Sequence, residues 1–230
     1  MLLLKRRGKL TLTERFILLL VAIMLAVSFI LFFTNKPLFN QYVIEDGVVE
    51  WLTVTGLLLG AFTCFARFVN YLRKKSWIFL AITLALGLML FFVAGEEVSW
   101  GQRIFNIQSS EYFQQNNLQR ETNFHNLLIG GVKINQVVFS IGLIAMLVIY
   151  LAVFPFIYRR SNGFKKWVDN WGIVLPQNYQ IASFSALFIV SSLLQHEKNA
   201  ELLECGAGLL FFLIVRYPLN GYLFTKQAGR

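Results

Sequence analysis

The sequence predicts an all-α, polytopic membrane protein with about six transmembrane helices and a helical loop on the outer side. Three observations point there. Of 230 residues, 57% are hydrophobic and 14% charged, which is too apolar for a soluble core of one-domain size. Several apolar runs approach the length needed to cross a bilayer. The basic residues, finally, fall on one side when the chain alternates through six spans.

The spans follow in order. The first is expected at 16–33 and the third at 77–95, because 16–33 and 77–95 contain no charged residue. The second, at 48–69, begins beside Glu50, and the fourth covers 136–158. The fifth (179–195) and sixth (202–217) are separated by the polar segment His196-Glu197-Lys198-Asn199-Ala200-Glu201. A single membrane domain, 1–230, is expected, with 96–135 as the long outer loop.

Lys5, Arg6, Arg7, Lys9 and Arg15 precede the first span, and Arg67, Arg73, Lys74 and Lys75 lie at the end of the second. Arg159, Arg160, Lys165 and Lys166 follow the fourth, and Arg216, Lys226 and Arg230 close the sixth. The positive-inside rule then places both termini in the cytoplasm of a bacterial inner (plasma) membrane. The net charge of +9 is accordingly a topological signal. It is no nucleic-acid footprint, since no basic, aromatic-interleaved soluble segment exists to hold RNA or DNA. Thr34-Asn35-Lys36-Pro37 offers no small-residue cleavage site, so the first apolar run is expected to be retained as a span. Cys64 and Cys205 lie at different depths, which disfavours a disulfide, and two cysteines are too few for a thiolate metal site.

Trp51 and Trp100 suit the outer interface, and Trp77, Trp167 and Trp171 the inner one. The inner connection 159–178 reads as an interfacial segment, with Phe164, Trp167 and Trp171 toward lipid and Lys165 and Lys166 at headgroups. In the outer loop, Ser109 and Ser110 can cap a helix from about Glu111, with Tyr112, Phe113 and Leu118 packing inward or into the interface. A second short helix is expected from Thr122 through Phe124, Leu127, Leu128 and Ile129, with Gly130-Gly131 turning the chain. Together these predict a partly embedded lid.

Ten of the twelve acidic residues fall on the outer side of this topology: Glu45, Asp46, Glu50, Glu96, Glu97, Glu111, Glu121, Glu197, Glu201 and Glu204. Both histidines, His125 and His196, fall there too. Carboxylates that enter apolar stretches need a partner, water or a metal. Glu96 and Glu97 end the third span as adjacent like charges, and Arg103 can reach back to balance them. Glu121 and His125 are four apart, so on a helix the carboxylate could orient the imidazole or share a metal with it. Glu197, Glu201 and Glu204 form one stripe entering the sixth span. Glu204 is followed by Cys205-Gly206-Ala207-Gly208, a small-residue run that suits close helix packing and turns Glu204 toward the bundle interior.

Such a set admits more than one chemistry. Glu96, Glu97 and His125 are the catalytic candidates. Glu121, His125, Glu201 and Glu204 could hold a divalent metal of unspecified identity. Arg103, Arg120, His196 and Asn199 are candidates for substrate contacts. A metal-free version uses a glutamate as general base on water, with histidine and asparagine at the oxyanion. Serine-nucleophile and phosphate-loop motifs are missing, and Ser99 has no evident base.

The stretch Gly95-Glu96-Glu97-Val98-Ser99-Trp100-Gly101-Gln102-Arg103, followed by Glu121-Thr122-Asn123-Phe124-His125-Asn126, resembles a pattern in bacterial multi-pass inner-membrane proteins that carry no assigned activity. The order Glu96-Glu97, Arg103, His125, His196, Asn199 also partly resembles the CAAX-protease and bacteriocin-processing family of intramembrane glutamate proteases. That resemblance implies water activation by Glu97 (or Glu96) and His125, with His196 and Asn199 at the oxyanion. The spacings depart from that family: its Arg follows the pair after three residues rather than five, its His stands four after a phenylalanine rather than one, and its last pair is HxxxN rather than HxxN.

The leading expectation is a hydrolase or transferase acting on a lipid or lipid-attached substrate that enters from the membrane. Two alternatives are a cation- or proton-coupled transporter and a non-enzymatic subunit docking a membrane-protein partner.

Overall fold

The computed structural model describes residues 9–44, 47–124, 126–129, 132–133, 143–194 and 199–225. Helix α1 (Leu12–Thr34) starts on a capping box, in which the Thr11 hydroxyl accepts from Glu14 N at 3.3 Å and Glu14 accepts from Thr11 N at 2.7 Å. This satisfies two amide donors that a helix start leaves open. Short α2 (Lys36–Tyr42) is capped by Asn35. Helices α3 (Val48–Tyr71) and α4 (Trp77–Glu97) follow, the second capped by the Ser76 hydroxyl on Phe79 N.

In the outer loop, α5 (Gln102–Phe105) and α6 (Glu111–Asn116) are brief. The expected helix at Glu111 is present, although no Ser110 side-chain bond caps it. The expected second helix from Thr122 is replaced by bends, then an antiparallel pair of two-residue strands, β1 (Leu128–Ile129) and β2 (Val132–Lys133). The apolar periodicity there was overridden by Asn117 and Asn123, whose side chains take up loop amides and carbonyls that a helix would have paired internally.

Helix α7 (Leu143–Val148), a π-helical turn (Ile149–Val153) and α8 (Phe154–Arg160) run on from one another. The widened turn lies just ahead of Pro155, whose ring lacks an N–H and crowds the carbonyl four residues back. Helix α9 (Asn162–Trp171) ends on Gly172 at φ +69°, where an added Cβ would sit 2.7 Å from the Phe79 ring. Helices α10 (Asn178–Leu193) and α11 (Asn199–Arg216) complete the bundle.

Among the described residues three helices, α1, α3 and α4, are long and apolar enough to cross a membrane. The fifth and sixth expected spans form helices of 16 residues (α10) and 18 residues (α11), and α11 carries Glu201 and Glu204 in its first two turns and Arg216 at its end. The first part of the fourth, 136–142, lies outside the described residues.

The core lies where α3 packs on α4 and α11, with Val54, Leu57, Ala61, Leu90, Leu209 and Leu213 all buried. Small residues set the α3–α11 distance. A Cβ on Gly56 would fall 2.7 Å from the Gly208 carbonyl carbon, and one on Gly208 would fall 3.0 Å from Thr53 O. Backbones that close leave no room for side chains, as at small-residue contacts between membrane helices.

The two acids expected on the inner side are both held by tyrosines. Glu14 accepts from Tyr179 OH at 2.7 Å, tying α1 to α10. Asp169 accepts from Tyr158 OH at 2.8 Å and also from Tyr222 OH, which fixes α9 to α8 and to the segment after α11. Phe164 of α9 packs against Phe154 and the small core of Tyr158, Val168 and Leu175, so it does not face outward as expected. Trp167 and Trp171 remain partly exposed.

Candidate functional site

The end of α4 is held by an unusual backbone. Ser99, Trp100 and Gly101 have φ of 46°, 55° and 76° in succession. Left-handed geometry at two consecutive non-glycine residues costs free energy and persists only where surrounding contacts enforce it. Those contacts are present. Trp100 stacks its indole over Gly95, and its Nε1 donates to Glu96 Oε1 at 2.8 Å. The other Glu96 oxygen accepts from Phe124 N at 2.5 Å. Both oxygens of Glu96 are thus used to fasten the loop to the helix.

A second set of bonds surrounds Ser99, which is 1% exposed. Its hydroxyl donates to Glu121 Oε2 and accepts from Asn123 Nδ2 at 2.8 Å. Asn123 also accepts from Asn117 Nδ2 at 2.9 Å. Gln102 joins from the other side, donating to the Ser109 hydroxyl at 2.6 Å and accepting from Thr122 N at 2.8 Å. Arg103 closes the set. It lies 3.1 Å from Glu50 Oε1 and 3.4 Å from Glu121 Oε1. The expected reach of Arg103 back to Glu96 and Glu97 is therefore replaced by a bridge from α3 to the loop. Glu96 already has two donors, whereas Glu50, at 5% exposed, needs a cation.

Behind this knot four carboxylates converge from three helices. Glu97 of α4 lies within electrostatic range of Glu201, Glu50 and Glu96, and Glu204 of α11 within range of Glu97, Glu201 and Glu50. Glu97 is also within electrostatic range of Cys205 of α11, beside the α3–α11 seam. Glu50 is paired with Arg103, but among the described residues no ion-pair or hydrogen-bond partner engages Glu97 or Glu204. Two like charges this close in an apolar surrounding repel unless a proton or a cation lies between them. The pair can therefore exchange a proton with a bound water or substrate, or hold a cation.

Of the residues singled out from sequence, Glu97, Glu201 and Glu204 meet, and Glu50 joins them. Glu121 and Arg103 belong to the adjoining knot. Arg120 is exposed at φ +59°, and Asn199 opens α11 beside a separate pocket. His125 and His196 lie outside the described residues. Among the described residues no group of three His, Cys, Asp or Glu side chains has an arrangement that could hold a metal ion. Sequence reasoning missed Ser99, Asn117, Asn123 and Gln102. The Ser99–Glu121 contact spans 22 residues, and no local spacing marks it. Comparison with protein-family models, with curated proteins and with solved structures gives no match.

Proposed function

We propose that this chain is a six-span inner-membrane hydrolase or transferase, with both termini cytoplasmic, whose outward-facing carboxylate site acts on a lipid or lipid-attached substrate. The observation that carries the proposal is the proximity of Glu97 and Glu204, brought together from α4 and α11 with no ion-pair or hydrogen-bond partner on either among the described residues. A carboxylate beside another carboxylate in an apolar surrounding is a general base that can also return its proton as an acid. A metal-assisted version, with a divalent cation polarising a substrate oxygen, would need Glu201 and Glu50 to draw closer to the pair, since among the described residues no three such acids are arranged to hold one. The sorting of basic residues supports the topology, and with it the outward side of the site. The loop fastened over α4 by Glu96, Ser99 and Glu121 would shield the reaction from bulk water.

The test is turnover of a bacterial total lipid extract by the purified protein in proteoliposomes, followed by mass spectrometry, with metal content measured in parallel. Glu97→Gln is expected to abolish product formation while expression and thermal midpoint are retained. Full turnover in Glu97→Gln and in Glu204→Gln would remove the pair from any reaction. Ion flux without product would replace the enzyme with a cation-coupled carrier.

A further inference from the structure

Hydroxyls inside the long helices follow one habit: they turn back onto the carbonyl four residues earlier. On α10, Ser183 donates to Tyr179 O at 2.8 Å, Ser185 to Ile181 O at 3.1 Å and Ser192 to Phe188 O at 2.6 Å. Ser28, Thr53 and Thr83 do the same on α1, α3 and α4. Ser191 is the exception on α10. It is 4% exposed, and its Oγ has no hydrogen-bond partner among the described residues. Asn199 Oδ1, at the start of α11, is likewise buried and unpartnered. Both residues line the same cavity of about 130 Å³, with Phe188, Ser192, Ala200 and Leu203 as its other walls.

A buried polar atom without a partner is costly, and two around one cavity call for an occupant that satisfies both. Oδ1 can only accept, so the occupant must donate to it. The Ser191 hydroxyl can donate to the same atom of the occupant. An alcohol meets both demands with a single oxygen, accepting from Ser191 and donating to Asn199. The volume is that of roughly four waters, enough for a three-carbon polyol fragment and too small for acyl chains. Ser191 is two residues from the end of α10, and Phe188 on the rim is 49% exposed. In the six-span topology proposed above, this end of α10 lies at the membrane surface, where the glycerol region of a bilayer sits and chains can run down the outside of the helix.

On α11 the mean direction of the cavity-lining positions Asn199, Ala200 and Leu203 lies about a third of a turn from that of Glu201 and Glu204, at 3.6 residues per turn, and neither acid lines the cavity. The pocket is thus distinct from the carboxylate cluster and does not depend on what that cluster does. We infer that the cavity between α10 and α11 binds the free hydroxyl of a glycerolipid, held between Ser191 Oγ and Asn199 Oδ1.

The test uses the full chain in detergent, with 1,2-dioleoylglycerol and its 3-O-methyl ether as probes and lipid retention read by native mass spectrometry. Wild type is expected to retain the alcohol roughly three- to tenfold better than the ether, the span of the one hydrogen bond that the ether cannot donate. Asn199→Ala, which removes the acceptor that only the free alcohol can use, should lower the alcohol to the level of the ether. Ser192→Ala, whose hydroxyl is already used on its own helix, should leave the preference intact. Equal retention of alcohol and ether by wild type, or no retention of either, overturns the inference without recourse to any variant. So does an unchanged preference in Asn199→Ala.

Discussion

Arg103 Nη2 lies 3.1 Å from Glu50 Oε1, joining the loop after α4 to the first turn of α3 across 53 residues of sequence. The same guanidinium stands 3.4 Å from Glu121, so one cation balances two carboxylates from two parts of the chain. Arg103→Ala would remove this cation from the buried Glu50, at a cost of about 3 kcal/mol. A lower thermal midpoint at fixed scan rate is expected. Arg103→Lys should not restore it, because a single ammonium lacks the fork that reaches both partners. An unchanged midpoint in Arg103→Ala would show that the bridge contributes nothing.

The α3–α11 contact is set by glycine. Gly56→Ala places a methyl 2.7–2.9 Å from the backbone of Gly208 and Leu209, where nothing flexible can yield. Loss of folded protein is expected, read as aggregation on size-exclusion chromatography. Gly163→Ala is the matched control. The nearest atom to its Cβ is 3.9 Å away, and the change should stabilise α9 by about 0.5–1 kcal/mol. Equal behaviour of the two variants would count against close packing at Gly56.

Tyr222 couples the segment after α11 to α9. Burial, then its hydrogen bond to Asp169, pushes its phenol up from 10.0 to about 12. A raised phenol favours the neutral form in the folded state, so its contribution is fully present below pH 10 and lost as the pH approaches about 12. Alkaline unfolding followed by circular dichroism should show wild type losing stability across that window. Tyr222→Phe should be less stable at neutral pH and should show a shallower decline there. A decline identical to that of wild type would exclude Tyr222 as its source.

The uncharged runs 16–33 and 77–95 announced α1 and α4, because burial in lipid leaves no alternative for a segment that apolar. The glycines after Glu204 correctly announced close packing on α11, since only small side chains permit it. The loop was less legible. Its apolar spacing favoured a helix after Thr122, but Asn117 and Asn123 hold it in turns through long-range side-chain bonds. The partner of Arg103 was misjudged for a related reason. Sequence shows the near carboxylates Glu96 and Glu97, while the bundle presents a distant one, Glu50, whose burial makes a stronger demand for a cation. Ser99 was passed over because its partner Glu121 becomes adjacent only once the chain folds back.

Opposed like charges leave a signature that a merely structural pair would not. If Glu97 and Glu204 are kept for chemistry, they are kept at the expense of stability, and neutralising one should relieve the repulsion. Glu204→Gln is therefore expected to stabilise the protein by on the order of 1 kcal/mol, a rise of roughly 2–4 °C in thermal midpoint for a chain of this length. The same variant should lose lipid turnover. Glu96→Gln makes the contrast, since both Glu96 oxygens accept bonds that fasten the loop. That change should lower the midpoint by weakening the bond to Trp100 or to the Phe124 amide. A drop in midpoint for Glu204→Gln comparable to that of Glu96→Gln would mean that Glu204 is bonded in the folded state, and the pair would then be structural.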